Sequence, residues 1–229
     1  MKYFNNLIIL LSIFAFVSCN SHQKNTPKAV KGVLDLRNWD FEKDGIVSLE
    51  GEWNFYYEKF LDLNEIKQTK NDLFIIPKVV QNFNINKINC EALSYYTYHI
   101  KVLKGKNIHK LSLRFPPPRS SFKLFINGKL TGEAGKLGKN KQDSRPEYKT
   151  DIYQFDSDKD TIDILFWVSN FHYWKGGITN IELGKTEELN YIHEIWTVHN
   201  AFMIGCLLAF GIYYLMVYIF RRKEIIYRS

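Results

Sequence analysis

Residues 202–220 read Phe-Met-Ile-Gly-Cys-Leu-Leu-Ala-Phe-Gly-Ile-Tyr-Tyr-Leu-Met-Val-Tyr-Ile-Phe, a run without a single charged side chain. A helix of that length, rising ~1.5 Å per residue, reaches across the ~30 Å hydrocarbon core of a bilayer. It also satisfies its own backbone hydrogen bonds, which lipid demands of any exposed chain. The run therefore predicts a transmembrane helix over 202–220; a buried helix of a soluble domain seldom runs so long without a charge. Trp196 before it and Tyr213, Tyr214 and Tyr218 toward its far end are aromatics of the kind that favour membrane–water interfaces. Arg221-Arg222-Lys223 follow directly, and the positive-inside rule puts that end in the cytoplasm. The expected topology is a single pass through the cytoplasmic membrane. Residues 20–201 are then extracytoplasmic and residues 221–229 form a cytoplasmic tail.

The other end of the chain carries a second apolar run. Lys2 alone precedes the uncharged stretch 3–19, which is the layout of a secretory signal peptide over residues 1–19. The run closes on Phe16-Val17-Ser18-Cys19, and a small residue followed by Cys at this distance resembles the lipobox of bacterial lipoproteins. That resemblance implies that Cys19 is lipidated and becomes the mature N-terminus. An uncleaved signal anchor and ordinary cleavage nearby are the alternatives. A polar linker follows over residues 20–31.

These boundaries reassign the charge. The chain of 229 residues has 31 Lys and Arg against 24 Asp and Glu, a net charge of +7. Lys2 and the tail account for +4, which leaves residues 20–201 at +3. So balanced a region lacks the concentrated basic face that nucleic acid binding requires, and no nucleic acid partner is expected. Cys90 lies outside the membrane and Cys206 within it, so the two cannot bridge. The exported region must be held by its core, and its length is sufficient for one.

That region alternates strand-like runs with turn residues. Ile46–Leu49, Glu52–Tyr56 and Leu73–Ile76, the last closed by Pro77, are the first strands, with a short helix expected over Glu58–Leu63. Tyr96, Tyr98, Ile100 and Val102 alternate with Thr97, His99 and Lys101, the period of a half-buried strand. Leu111, Leu113 and Phe115, and then Phe122, Leu124 and Ile126, repeat the pattern, and Asn127-Gly128 is a hairpin turn signal. Tyr148–Phe155, Thr161–Val168 and Ile178–Leu183 complete the series, with Trp39 and Trp53 expected in the core. Many short strands without long amphipathic helices between them predict an all-β antiparallel sandwich or jelly roll over 32–185. From Thr186 the period becomes helical, with Leu189, Ile192, Trp196 and His199 on one face. This juxtamembrane helix over 186–201 runs into the span, either to carry a conformational signal or only as a stalk.

The stretch Gly32-Val33-Leu34-Asp35-Leu36-Arg37-Asn38-Trp39-Asp40-Phe41, followed by Gly45-Ile46-Val47-Ser48-Leu49-Glu50-Gly51-Glu52-Trp53-Asn54-Phe55-Tyr56, is distinctive. Tyr96-Thr97-Tyr98, Leu124-Phe125-Ile126-Asn127-Gly128-Lys129, Gly135, Val168-Ser169-Asn170-Phe171, Gly176-Gly177-Ile178 and Leu183-Gly184 come after it in order. Together they resemble the extracellular domain of bacterial seven-transmembrane receptors with diverse intracellular signalling modules (7TM-DISM). Phe202, Gly205, Gly211, Tyr213-Tyr214 and Arg221-Arg222 are similar to that family's first membrane helix. The resemblance implies a galactose-binding-like jelly roll that takes a carbohydrate or related small molecule, coupled to membrane signalling. It also implies six further helices beyond Ser229. The expectation is therefore a truncated or fragment form of such a receptor, or a membrane-anchored carbohydrate-binding or interaction module with no output of its own. A second resemblance, carried by Leu49–Phe55 and Phe125–Lys129, is to the non-catalytic sugar-binding domain of β-galactosidase-type glycosidases.

No nucleophile constellation, P-loop or zinc spacing is present, and no carboxylate pair has the setting of a general acid and base. An enzyme is not expected, nor is a cofactor or metal. Asp156-Ser157-Asp158-Lys159-Asp160 begins like a calcium loop but has Thr161 at the sixth position and Trp167 at the twelfth, so it reads as a solvated turn. Sugar recognition needs aromatic faces for pyranose C–H surfaces and planar polar groups for hydroxyls. The densest such set is Asn170-Phe171-His172-Tyr173-Trp174-Lys175-Gly176-Gly177. Tyr173 and Trp174 are expected to stack while Asn170 and His172 hydrogen-bond; capping of the core or docking toward the membrane-facing helix is the competing role for these aromatics. Pro116-Pro117-Pro118 offers a rigid loop presenting Arg119 to an acidic ligand, or simply breaks an edge strand.

Overall fold

The computed structural model describes residues 26–76, 83–85, 88–105, 110–149, 151–156 and 158–226. The leader over 1–19 with Cys19, the first half of the linker, Pro77 and the last three residues of the tail lie outside them. The strands are β1 (Val33–Leu36), β2 (Val47–Ser48), β3 (Gly51–Tyr57), β4 (Asp72–Ile76), β5 (Phe83–Ile85), β6 (Ile88–Cys90), β7 (Ser94–Lys104), β8 (Lys110–Arg114), β9 (Ser121–Ile126), β10 (Lys129–Ala134), β11 (Ile152–Asp156), β12 (Thr161–Asn170) and β13 (Glu182–Gly184). A short helix, α1 (Leu63–Ile66), joins β3 to β4, and a long one, α2 (Thr186–Ile226), follows β13.

Alternation decides which side chains face inward. Tyr96, Tyr98, Ile100 and Val102 of β7, and Ile162, Ile164, Phe166 and Val168 of β12, all enter one core with Trp39 and Trp53. The large sheet runs β10-β9-β12-β7-β3-β4. β3 pairs antiparallel with the first half of β7, while β1 lies parallel to its second half, so two strands share one edge. The small sheet is β11-β8-β13-β2, and β5 and β6 form a separate hairpin. The two main sheets meet face to face through aromatic rings. Phe115 and Phe166 are 5.3 Å apart edge-on, and Phe122 meets Tyr153 at 6.1 Å. The architecture is the expected all-β sandwich followed by one long apolar helix.

Local expectations hold where the chemistry is local. Asn127 and Gly128 both take left-handed backbone angles, φ 51° and 82°, as a two-residue hairpin turn requires. The helix expected over Glu58–Leu63 instead begins at Leu63. Glu58 has a left-handed φ of 51°, and the Asp62 carboxylate accepts from the N–H groups of Asn64 and Glu65 while Glu65 reaches back to Asp62. Thr97 holds the chain before the cap extended, donating to the Lys59 carbonyl at 2.7 Å and accepting from Leu61 N–H. The strands expected over 148–155 and 178–183 start late, at Ile152 and Glu182. Both pair with Arg114, the last residue of β8, and the three prolines after Phe115 have no N–H to extend the ladder. β8 is an interior strand, so these prolines end it without guarding an edge.

Helix α2 is rooted in the small sheet. Ser112 and Thr186 hydroxyls bond at 2.8 Å, and Leu189 is fully buried. Further along, His193, Trp196, Thr197 and Asn200 share a cleft of about 440 Å³ with Arg114, Phe115 and Pro116. The helix therefore travels in the direction of β8 and leaves the sandwich past the end of that strand. Its large apolar side chains from Phe202 to Phe220 are open to the surroundings, and α2 is long and apolar enough to cross a membrane. Ile192 is half-buried, whereas Trp196 and His199 are exposed and meet edge-on at 6.4 Å.

Candidate ligand-binding surfaces

Three loops converge at the end of the sandwich where β8 stops. The β8–β9 connection brings Arg119, the β12–β13 connection brings residues 171–181, and the β10–β11 connection brings Ser144. Arg119 and Tyr173, 54 positions apart, meet with the guanidinium carbon 4.7 Å from the ring centre. The Lys175 ammonium lies 4.1 Å from the centre of the Trp174 ring, whose residue is 61% exposed. Tyr173 and Trp174 are themselves 6.0 Å apart. His172 donates from Nε2 to the Ser144 carbonyl at 2.9 Å, which sets its tautomer and ties two loops together. Thus Arg119, His172, Tyr173 and Trp174 do come together, with one face of each aromatic ring already under a cation.

Asn170 is placed differently. It is 1% exposed and gives both amide hydrogens to backbone carbonyls, Ala92 at 2.8 Å and Tyr173 at 2.7 Å. Its amide thus pins the turn from beneath. Gly176 is required there, because a methyl group would overlap the Tyr96 hydroxyl and the Asn170 amide. Burial pushes the Tyr96 phenol well above its ordinary pKa, so it stays neutral.

A second surface lies on the outer face of the large sheet, which carries the residues of opposite parity to the core. Tyr95 of β7, Phe60 of the β3–β4 connection, Trp167 of β12 and Phe125 of β9 form a continuous aromatic ribbon. Successive ring centres are 4.9, 5.6 and 4.7 Å apart. The indole N–H of Trp167 donates to the Leu61 carbonyl, so the ring is locked in place. Beside the ribbon a cleft of about 480 Å³ is lined by Phe60, Trp167, Lys123, Glu133, Lys136 and Lys139 with the backbone around Gly135. Lys123 pairs with Glu133 at 3.4 Å, and the Lys139 ammonium stands 5.9 Å from the Tyr95 ring. Three lysines stand against Glu133 and against Glu147, which accepts from Gly135 N–H, so the cleft keeps a small excess of positive charge. Its signal in the sequence is faint. Phe125 and Trp167 are aromatics at outward positions of strands whose inward positions were already filled.

Near the same face runs a polar chain. Asn71 donates to Asn54, the Asn54 amide nitrogen faces His99 Nδ1 at 3.2 Å, and His99 Nε2 donates to Asp163 at 2.9 Å. The His99 bond holds the Asp163 carboxyl below its ordinary pKa. With the turn residue Asn127 exchanging two backbone-anchored bonds with Asp163, the chain staples β3, β7, β12 and the β9–β10 turn. It offers no nucleophile. Among the described residues, no three His, Cys, Asp or Glu side chains converge as a metal site would need.

The fold and these surfaces define a β-sandwich rooted on a helix able to span a membrane. No protein-family model matches the chain, and no curated protein matches its sequence. Solved structures similar to it include a GH2 beta-galacturonidase from Eisenbergiella tayi bound to galacturonate, with 12% identity and a TM-score of 0.43 over 61% of this chain and 24% of that one. A beta-D-glucuronidase from Dictyoglomus thermophilum gives 12% identity and a TM-score of 0.39 over 56% of this chain and 20% of its own. A beta-glucuronidase from Ruminococcus gnavus gives 14%, 0.37, 55% and 21% for the same measures. The chain spans less than a quarter of the length of each.

Proposed function

We propose that this protein is a membrane-anchored, extracytoplasmic carbohydrate-sensing domain of the 7TM-DISM receptor type. In this reading residues 32–185 bind the ligand, residues 186–201 connect it to the span over 202–220, and residues 221–229 are cytoplasmic. Cys19, lipidated, adds a second anchor. The observation that carries the reading is the cleft beside Phe60 and Trp167. Fixed aromatic faces next to flexible cations and an acceptor carboxylate are the combination that holds a sugar ring, by C–H contact and by hydroxyl hydrogen bonds. The continuous path of α2 supports transmission, because a rigid helix packed through Leu189 feels any shift of β8.

The test is calorimetry of the full chain in detergent against neutral and acidic oligosaccharides and peptidoglycan fragments. Binding by the wild type that is lost in Lys136→Glu/Lys139→Glu, with unfolding temperature unchanged, supports the reading. Uniform absence of binding refutes it.

A further inference from the structure

Strand register places several exposed side chains on the side of the sandwich from which α2 departs. Ile152 and Glu182 stand opposite Arg114, so the segments preceding β11 and β13 lie beside the prolines that follow β8. Tyr148 and Lys149 precede Ile152, Trp174 and Lys175 precede Glu182, and Arg119 follows the prolines. Helix α2 passes this end at Trp196 to Asn200, which share a cleft with Pro116 and Asn180, immediately before the uncharged run begins at Phe202. The end loops therefore sit at the level where a membrane-inserted α2 enters the interface.

Their composition fits that place. Tyr148 is 73% and Trp174 61% exposed, unusual for rings of that size in a stable domain. Trp and Tyr favour the headgroup layer, and Arg119, Lys149 and Lys175 stand among them. The Lys149 charge is balanced by Asp151 at 3.2 Å and Glu147 accepts from Gly135 N–H, so Arg119 and Lys175 are the cations on which the docking relies. Arg119 and Lys175 cover one face of Tyr173 and Trp174, which orders the aromatic and cationic groups together.

We infer that the loop end carrying Arg119, Tyr148, Trp174 and Lys175 docks on the surface of the same bilayer that α2 enters, with anionic phospholipid headgroups as its occupant. The docking fixes the tilt of the sandwich relative to the bilayer. It rests on the reading that α2 crosses the membrane and stands apart from any sugar at the cleft. The gain is an oriented receptor: two contacts, helix and loop end, define a plane where a helix alone leaves the domain free to swing.

The experiment uses the full chain in nanodiscs containing brominated phosphatidylcholine and phosphatidylglycerol. The difference in quenchable emission between wild type and Trp174→Phe isolates Trp174, and Trp196→Phe isolates the helix entry in the same way. Quenching of both is the expected result. Removing the anionic lipid, or introducing Arg119→Glu/Lys175→Glu, should abolish the Trp174 component, each cation being worth about fivefold in surface affinity. The Trp196 component should persist. Unquenched Trp174 with quenched Trp196 overturns the docking alone; if neither is quenched, the span is withdrawn as well. Trp174 quenching that is indifferent to both lipid charge and charge reversal overturns the headgroup assignment.

Discussion

The indole N–H of Trp167 on β12 donates to the Leu61 carbonyl at 2.8 Å, joining residues 106 positions apart. This bond clamps the β3–β4 connection across the outer face of the large sheet and sets the aromatic ribbon. Replacing Trp167 with Phe keeps a ring and removes the donor. Stability should fall by about 1 kcal/mol, and hydrogen–deuterium exchange at residues 59–66 should accelerate while the core strands stay protected.

The core is closed by rings from both sheets, so truncating one leaves a cavity. Phe166 is fully buried between Trp53, Phe115 and Phe122. Phe166→Ala should cost about 3–5 kcal/mol, read from denaturant unfolding of the detergent-solubilised chain.

Gly132 on β10 faces Tyr153 so closely that an added methyl would overlap the ring. Gly132→Ala should therefore destabilise by about 1–3 kcal/mol through overpacking. In a Tyr153→Ala background the same substitution should cost much less, and a double-mutant cycle measures the difference.

Asp163 gives the fold a pH dependence of known sign. Its carboxyl titrates lower when folded, held by the His99 bond, than in the unfolded chain at about 3.9. The stabilisation is thus complete above that unfolded value and disappears as pH falls through the lowered folded one. Asp163→Asn should be less stable than wild type at pH 7 and should lose less on acidification below pH ~4. Urea unfolding of both proteins at several pH values checks this. Asp35 differs because it is exposed: its bonds from Arg37 hold it at about 2, and Arg37→Ala should return it toward the ordinary carboxylate range in an NMR titration.

Helix α2 tests by a single charge. Leu208 lies within the uncharged run and is open to the surroundings. Leu208→Arg should cost about 2.5–3.5 kcal/mol of membrane insertion, seen in a Cys19→Ser background, where α2 is the remaining anchor, as a shift from the membrane to the soluble fraction after expression.

Much of the architecture was legible because its signals are periodic and short-ranged. The alternation in Tyr96–Val102 marked the inward face of β7 before any partner was known. Asn127-Gly128 marked a turn because few other pairs tolerate left-handed angles at both positions. Where a boundary depends on a distant residue, no local signal marks it. Thr97 decides that residues 59–61 are extended, and Arg114 decides where β11 and β13 begin. The candidate site divides in the same way. The density of the 170–177 loop is visible in the sequence, and so is Arg119 behind its three prolines, but nothing local says that Arg119 lies on Tyr173 or that Asn170 is buried.

The sequence alone determined an apolar span long enough for a bilayer, a β-rich domain of balanced charge ahead of it, and the parity of its strands. These follow from composition and from periods of two and 3.6 residues, which each segment carries within itself. Tertiary structure alone decided that Phe60, Trp167 and Phe125 share a ribbon, that three lysines gather at its rim, and that the end loops lie where α2 leaves the sandwich. Those placements depend on strand order and register. Both are set by how the strands of the two main sheets jointly bury one core, and no single segment encodes that.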